Sequence, residues 1–564
     1  MDVQRRRRVV WCIALAAILL LGLALRLKGI HNPILDHPGW RQGDTASIAK
    51  NFANLQYNVL YPQTSYNGPP PNYVELELQI VPIVAATFYK IVGVHEVIGR
   101  LVTIAFSLGT IALLAFFGRW LFASALAGLL AALFYAIMPG SVYYGRTFTP
   151  DATMVFFLTA ALFVISRMLV EEERWSARTS AWATVLLALA FLAKPVSLCA
   201  LVPVGALIVE RALSGRTFRP GAIVAIVVVP LALLYGYDRA VASHAEWHWA
   251  SGITRLHVLP ALHASLTSAA ALNLKLMQFS AVLEMLAQTM IGPAITAIAI
   301  LGFFLMPATV RTRTLLWGWL AGGLAYTYAV VTVERVDYYM FLLLPLAALT
   351  AAAFLDRFAS AIARSPLERS YKYAAAAISL AALAAIAYQN RQIVKPYYHY
   401  NKTVYRNAVA LSRTLAPDAL VVMGHYDPSV LYYIGRYGWE EDPYLWTPFD
   451  EQSAIKKGAR YFIAIEKNRF ARNVELCAWM QRFPVINPNA QWPVYVTDPA
   501  KVRPNAEAQW RAFRNAEKAG NARTWLDAHG LCRLRAAEVE SRLDPFASFA
   551  PFPERPIRRV AGRR

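Results

Sequence analysis

Unbroken apolar runs, rather than strict alternation, dominate the chain up to about residue 390. Ile13–Leu25, Leu101–Phe117, Leu121–Met138, Met154–Leu169, Ala222–Leu234 and Phe341–Leu355 are nearly free of charge. A membrane span needs about 20 mostly apolar residues, and so many runs of this length cannot share one soluble core. Each predicts a membrane-crossing helix. Leu78–Gly93 is shorter and carries Pro82 and Lys90, which suits a helix lying in the interface within the first outer loop. Residues 181–209 are too long for one span, and Lys194-Pro195 stands at their middle; two short helices meeting at a Lys-Pro turn fit best.

Beyond Arg391 the pattern changes. Val421–Met423, Ala459–Ile465 and Trp492–Val496 are strand-like, and Asp427-Pro428 marks a turn before a short helix. The expected architecture is an α-helical polytopic membrane protein with a C-terminal α/β soluble domain. The expected domains are a transmembrane catalytic domain over 1–390 and an extracytoplasmic domain over 391–564. The tail after Asp544, rich in Pro, Phe and Arg, is expected to be basic and partly disordered.

Charge sets the topology. Arg5–Arg8 place the N-terminus in the cytoplasm, and the apolar run after them reaches Leu25 with no small-residue cleavage site before Arg26, so the first helix is retained. Arg119, then Arg167, Arg174 and Arg178, then Arg211, Arg216 and Arg219, then Arg311 and Arg313, and finally Arg357–Lys372 all fall inside if Leu78–Gly93 does not cross. That yields about eleven transmembrane helices with the C-terminal domain outside. Residues 238–285 become a long outer loop rich in His and Trp, and a span is expected at 286–307.

Composition supports a membrane chain: 57% of residues are hydrophobic and 16% charged, against about 25% charged in soluble domains. The net charge of +21 reflects positive-inside bias and a basic domain near anionic headgroups, not nucleic-acid binding. Cys12 and Cys199 lie in apolar spans. Cys477 and Cys532 share the C-terminal domain, where a disulfide and two free thiols both remain open.

The same parity gathers three acidic sites on one face. They are Asp36-His37-Pro38-Gly39-Trp40-Arg41-Gln42-Gly43-Asp44, then Glu75-Leu76-Glu77, then Arg146-Thr147-Phe148-Thr149-Pro150-Asp151. Lys194 and Arg335 add cations at outer helix ends. Any one of these carboxylates is, by itself, a solvated loop charge or a helix cap. Three together beside cations near the bilayer point to a substrate site. His244 and His248, beside Trp247 and Trp249, read as an interfacial aromatic patch rather than metal ligands.

The run Trp40–Ala46, the later Glu77-Leu78, Arg100 opening a span, and Arg146…Pro150-Asp151 together resemble the GT-C membrane glycosyltransferases. Within them the chain is similar to the bacterial branch of the dolichyl-phosphate-mannose protein mannosyltransferase and aminoarabinose transferase family, over roughly residues 10–350. The Asp427–Tyr433 stretch with Gly435-Arg436 resembles the accessory domain of some bacterial members. The resemblance implies an inverting transfer of a sugar from a polyprenyl-phosphate carrier to an envelope lipid, glycan or protein, at the extracytoplasmic face of a bacterial inner membrane. It puts the catalytic carboxylate on Asp44, with Asp36 as the substitute, and the second-loop acid on Asp151. It puts a divalent metal, where members use one, at Glu77, though Gln79 stands where a Pro often follows. Asp337-Tyr338-Tyr339 matches a late His-Tyr-Tyr-like pattern without its His.

The chemistry stands beside the family name. Breaking a sugar–phosphate bond needs no general acid, but it needs positive charge on the departing phosphate. Arg41, Arg146, Lys194 and Arg335 are the candidates, with Trp40 and Tyr338 completing the expected substrate-binding set. One carboxylate must take the acceptor's proton, and Asp44 suits that role. A transporter or flippase of polyprenyl-linked glycans is the alternative; it favours two similar halves and midplane polar groups, and no internal repeat is visible. A receptor acting through the C-terminal domain is a third reading.

Overall fold

Apolar length sets the helices, and the positions of glycine, proline and charge set where they stop. The chain is described by a computed structural model that covers residues 3–533 other than 172–174, 218, 308 and 488–490; the tail after Asp544 lies outside the described residues. Helix α1 (Val3–Leu27) leads to α2 (Gly39–Asn54), α3 (Ile80–Val92), α4 (Glu96–Phe122), α5 (Ala125–Ile137) and the short α6 (Pro139–Tyr144). Then come α7 (Asp151–Val170), α8 (Ala177–Ala193), α9 (Leu201–Leu213) and α10 (Pro220–Ala242). The membrane part closes with α11 (Ala269–Met285), α12 (Pro293–Leu305), α13 (Val310–Tyr326), α14 (Leu344–Arg364) and α15 (Arg369–Ile393).

Among the described residues, nine helices are long and apolar enough to cross a membrane, and Ile80–Val92, Ala125–Ile137, Ala177–Ala193 and Pro293–Leu305 are shorter apolar helices. The fold is thus the expected polytopic helical one. One segment departs from expectation: Ala269–Ile291, inside the stretch read as an outer loop, is long and apolar enough to be among the nine, and the span expected at 286–307 is broken at Gly292, leaving α12. Lys275 near the start of this segment meets Thr332 and Met290 near its end lies against Gly140, both close to where Tyr144 meets Asp337, so the segment runs along one end of the bundle and adds no crossing. Lys275 hides it in the sequence. In the structure that lysine is 4% exposed and donates to Thr332 Oγ1 at 2.9 Å, so the charge is satisfied within the bundle.

Small residues let the central helices approach closely. A Cβ on Gly128 of α5 would strike the Ala115 carbonyl of α4, and one on Gly302 of α12 would strike that of Thr350 in α14. α14 offers Ala347, Ala348, Ala351 and Ala352, all buried, as its packing stripe. At one end of the bundle Arg26 is wholly buried; its guanidinium donates to Ser107 Oγ and Ser141 Oγ, both at 2.7 Å, and to the Gly22 and Ala136 carbonyls. This ties α1, α4, α5 and α6 together.

The stretch Leu78–Gly93 contains α3, which buries Val81, Ala85, Ala86 and Tyr89 at helical spacing and packs on α2. The Lys-Pro turn holds: α8 ends at Ala193 and a 3-10 turn, Pro195–Ala200, starts the next helix.

The C-terminal part contains a five-stranded sheet of order β4-β3-β5-β7-β6. Its strands are β3 (Leu420–Met423), β4 (Gly438–Glu440), β5 (Ala459–Ile463), β6 (Val485–Ile486) and β7 (Val494–Val496). β3 runs parallel to β4 and β5, and β7 antiparallel to β5 and β6. Alternation places Val421 and Met423 in one core, with Val430, Leu431 and Ile434 of α17 (Pro428–Ile434) and Val404 and Ala408 of α16 (Lys402–Thr414). Val422 faces the other core, with Phe462, Leu476 and Trp479. Cys477 and Cys532 are joined in a disulfide, which resolves the alternative left open by the sequence.

Two backbone contacts dock this sheet on the membrane part. Gly68 N–H donates to the Gly438 carbonyl at 2.7 Å, and Gly438 N–H to the Ser65 carbonyl at 3.1 Å, so the first loop covers the β4 edge. The same loop carries β1 (Val74–Glu75), which pairs in parallel with β2 (Trp247–His248).

Candidate functional site

The local sequence of α2 explains its unusual burial. Ile48 and Phe52, four apart, turn inward with Ala46 and Ala49, while Arg41 and Asp44, three apart, share a face. Polar residues dominate this helix, yet Gln42 to Ala49 are all buried, because α3 lies on one side and α17 on the other. A Cβ on Gly43 would lie 2.5 Å from the Ser429 nitrogen; only glycine admits the α17 backbone so close.

Asp44 is 6% exposed and accepts a hydrogen bond from Tyr66 Oη at 2.7 Å. Burial pushes its carboxyl up to about 7, against the opposing pull of the Arg41 guanidinium and the Tyr66 hydroxyl; Asp427 and Glu77 add to the rise. Arg41 forms an ion pair with Glu77 and lies within electrostatic reach of Asp44, Tyr338 and Asp151. Asp151 sits in the first turn of α7 and is fully buried. Its Oδ1 accepts from Lys194 Nζ at 2.5 Å, while Oδ2 is buried without a hydrogen-bond partner. Lys194 Nζ lies 4.8 Å and 4.5 Å from the Tyr338 and Tyr339 ring centres. Arg41, Asp44, Glu77, Asp151, Lys194 and Tyr338 therefore form one cluster at one end of the bundle.

Asp36 and Arg146 have another place. Both are fully buried, and Asp36 is paired with Arg146 and with Arg100, the latter at 2.9 Å. Gln42 Nε2 also donates to Asp36 at 2.8 Å. Asn32 Nδ2 adds a fourth contact at 3.4 Å, so Asp36 is committed to neighbouring donors and is poorly placed to take an acceptor's proton. It and Arg146 fasten the first loop to α4 and the loop before α7. Arg335 stands apart too, in the left-handed region at φ 51°, its Nη2 2.6 Å from the Gln278 amide of α11; no contact among the described residues joins it to Asp151 or Lys194.

Trp40, 43% exposed, meets Trp249 edge-on at 6.1 Å, and Trp249 meets Tyr66 at the same distance. Glu75 fixes that tryptophan's segment by accepting from the Ser251 backbone at 3.0 Å and its hydroxyl at 2.7 Å. His248 lies 3.4 Å from Glu75, and His244 stacks on Tyr61 at 4.2 Å, in keeping with an aromatic patch.

Sequence reasoning did not foresee Tyr66, Trp249 or the network around Asp337. That carboxylate accepts from Tyr144 Oη at 2.6 Å and Tyr397 Oη at 2.8 Å, with His37 Nε2 3.5 Å away. His37 of the first loop thus stands beside the aspartate of Asp337-Tyr338-Tyr339, the motif that lacks a histidine of its own. Tyr66 lies in a Pro- and Asn-rich loop whose pattern carries no structural period, so no signal marked it.

A metal at Glu77 does not fit the donor set. Arg41 occupies the Glu77 carboxylate, and among the described residues no group of three or more His, Cys, Asp or Glu side chains converges to hold an ion.

Residues 80–235 match the family described as dolichyl-phosphate-mannose-protein mannosyltransferase. The match includes Asp151 and Lys194 and lies outside the loop of Asp44. No curated protein matches the chain by sequence. Among solved structures, the chain is similar to ArnT from Cupriavidus metallidurans bound to undecaprenyl phosphate, with a TM-score of 0.57, 13% identity, and coverage of 87% of this chain and 99% of that one. The apo state of the same protein aligns with a TM-score of 0.55 at 14% identity over 88% and 100%. The archaeal oligosaccharyltransferase AglB from Archaeoglobus fulgidus, in complex with an inhibitory peptide and a dolichol-phosphate, aligns with a TM-score of 0.53 at 13% identity over 88% and 75%. The chain has the fold of the GT-C membrane glycosyltransferases and, over residues 80–235, resembles the dolichyl-phosphate-mannose-protein mannosyltransferases.

Proposed function

We propose that the protein is an inverting glycosyltransferase that moves a sugar from a polyprenyl-phosphate carrier to an acceptor in the bacterial envelope, on the extracytoplasmic face of the inner membrane. The observation that carries this reading is the single cluster formed by Arg41 and Asp44 of α2 with the Asp151–Lys194 pair. The undecaprenyl phosphate and dolichol-phosphate of the structural neighbours support a polyprenyl-phosphate donor.

In this reading the acceptor hydroxyl or amine attacks the anomeric carbon from the face opposite the phosphate. The new bond forms as the carbon–oxygen bond to phosphate breaks, the electron pair leaves with the polyprenyl phosphate, and Asp44 takes the acceptor's proton. Arg41 and Lys194 meet the charge that grows on the phosphate. Asp151 holds the Lys194 ammonium, with Tyr338 and Tyr339 beside it. Trp40 and Trp249 give the sugar or acceptor an aromatic face beside the base. Asp36 and Arg146 hold the loops in register. The membrane-embedded part acts with the C-terminal α/β domain, divided near residue 390 and facing the same compartment as the site.

The test is transfer by purified, reconstituted protein with Asp44→Asn. The amide keeps the shape and cannot accept the proton, so transfer falls by about 100-fold or more while the protein still folds. Undiminished transfer overturns the assignment of the base. No transfer by the purified wild type, with lipid-linked sugar accumulating on the cytoplasmic leaflet of cells that lack the protein, favours transport instead.

A further inference from the structure

A second cavity lies away from the catalytic cluster, between the end of α1 and α15. It encloses about 290 Å³ and is lined by Leu25, Ile137, Val142 and Ala387 on its apolar side and by Lys28 and Arg391 on its polar side. Tyr398 closes one wall. From there a row of rings, Tyr398, Tyr143, Tyr144 and Tyr338, spaced at 4.9, 5.5 and 5.7 Å, runs to the catalytic cluster. These rings separate the two spaces.

The charge around this cavity is out of balance. Arg26 is buried and donates only to neutral groups. Arg100 and Arg146 share the single carboxylate of Asp36. Lys28 faces Arg391, Lys395 and Arg146 and lies over the Tyr398 ring at 4.5 Å, with Arg146 on the same ring at 4.6 Å. The other nearby carboxylate, Asp337, is engaged by Tyr144, Tyr397 and His37. Among the described residues no carboxylate pairs with Lys28, Arg391 or Lys395. Six cations thus surround two carboxylates that are already committed, and an anion is the natural complement.

The depth and shape fix what kind of anion. Lys28 follows the last residue of α1, and Arg391 lies in the last turn of α15, so both stand at headgroup level if these helices cross the membrane. Below them the walls are apolar, and none of the most apolar stretch of α15 is buried against the bundle, so the gap opens toward lipid. We propose that this cavity binds a phosphate-bearing membrane lipid, with the phosphate held by Lys28 and Arg391 and the chain lying between α1 and α15. Lys395 reinforces the headgroup end. Neither residue belongs to the transfer chemistry, so this site stands or falls independently of the reaction.

The full chain, purified in detergent and analysed by native mass spectrometry, is expected to carry one phosphorylated lipid. In nanodiscs of phosphatidylcholine, added phosphatidylglycerol or undecaprenyl phosphate is expected to raise the melting temperature; the more effective of the two identifies the source. Lys28→Gln with Arg391→Gln is expected to lower lipid retention by about tenfold or more, and Lys28→Arg to keep it. Ala387→Trp fills the apolar end without changing charge and is expected to expel the lipid too, which decides the matter if the double variant does not fold. Equal retention by wild type, the double variant and Ala387→Trp overturns the proposal. So does a shift of the same size from inorganic phosphate alone, because the chain would then contribute nothing.

Discussion

Asp44 has a carboxyl pushed up to about 7 by burial, and this makes two predictions of definite sign. As a base it works only when ionised, so transfer should be lost as pH falls through about 7. Tyr66 lowers that value by donating to the carboxylate, so Tyr66→Phe should move the acid limb of the pH–rate profile to higher pH; a limb that stays put contradicts the role of the hydroxyl. Because the folded value lies above the unfolded one, the carboxyl favours the native state at low pH and opposes it progressively as pH rises toward and past 7. Asp44→Asn should therefore raise the melting temperature at pH 8 while it removes transfer. Asp36 should behave in the opposite manner. Asparagine there leaves Arg100 and Arg146 buried with too little negative charge, a loss of about 3–5 kcal/mol, seen as poor folding rather than as slow chemistry. The motif alone could not tell these two aspartates apart. Eight positions separate them on the same loop, and the difference lies in partners from α4 and the loop before α7, which sequence order hides.

At the scale of elements, the apolar runs told where helices form, and the Lys194-Pro195 break and the α3 segment were legible because length and charge decide them. What escaped was α11, whose Lys275 reads as a loop charge until Thr332 and the Tyr328 ring, 5.1 Å away, are seen to receive it. The contact between α2 and α17 was equally invisible, since it depends on the missing side chain of Gly43. A methyl group there meets the Ser429 nitrogen at 2.5 Å and its Cα at 2.7 Å, and backbone cannot yield as a side chain tip can. Gly43→Ala should cost about 1–3 kcal/mol and reduce transfer, because α2 carries Asp44. Gly221→Ala, where nothing lies within 4 Å of the added atom, is the control and should leave melting temperature and transfer unchanged. Equal behaviour of the two variants would show that α17 does not press on α2.

For the whole molecule, the spatial convergence of residues far apart in sequence constrains the topology more tightly than any count of spans. The first loop touches the sheet at Gly438, Asp44 lies beneath α17, and Asp151 reaches Lys194. These segments meet in space, so they occupy one compartment; in the proposed reading that compartment is the outside, with Arg119, Arg211 and Arg311 following the other helix ends. Even if α5 and α8, of 13 and 17 residues, thin the bilayer around them, the parity of the ends is unchanged. Topology reporters inserted near Asn67 and near Ser141 should both report the extracytoplasmic side, and one placed near Ser365, between α14 and α15, the cytoplasmic side. Opposite readings at the first two would place the base and the departing phosphate in different compartments, and no rearrangement of side chains could then bring the proposed reaction together.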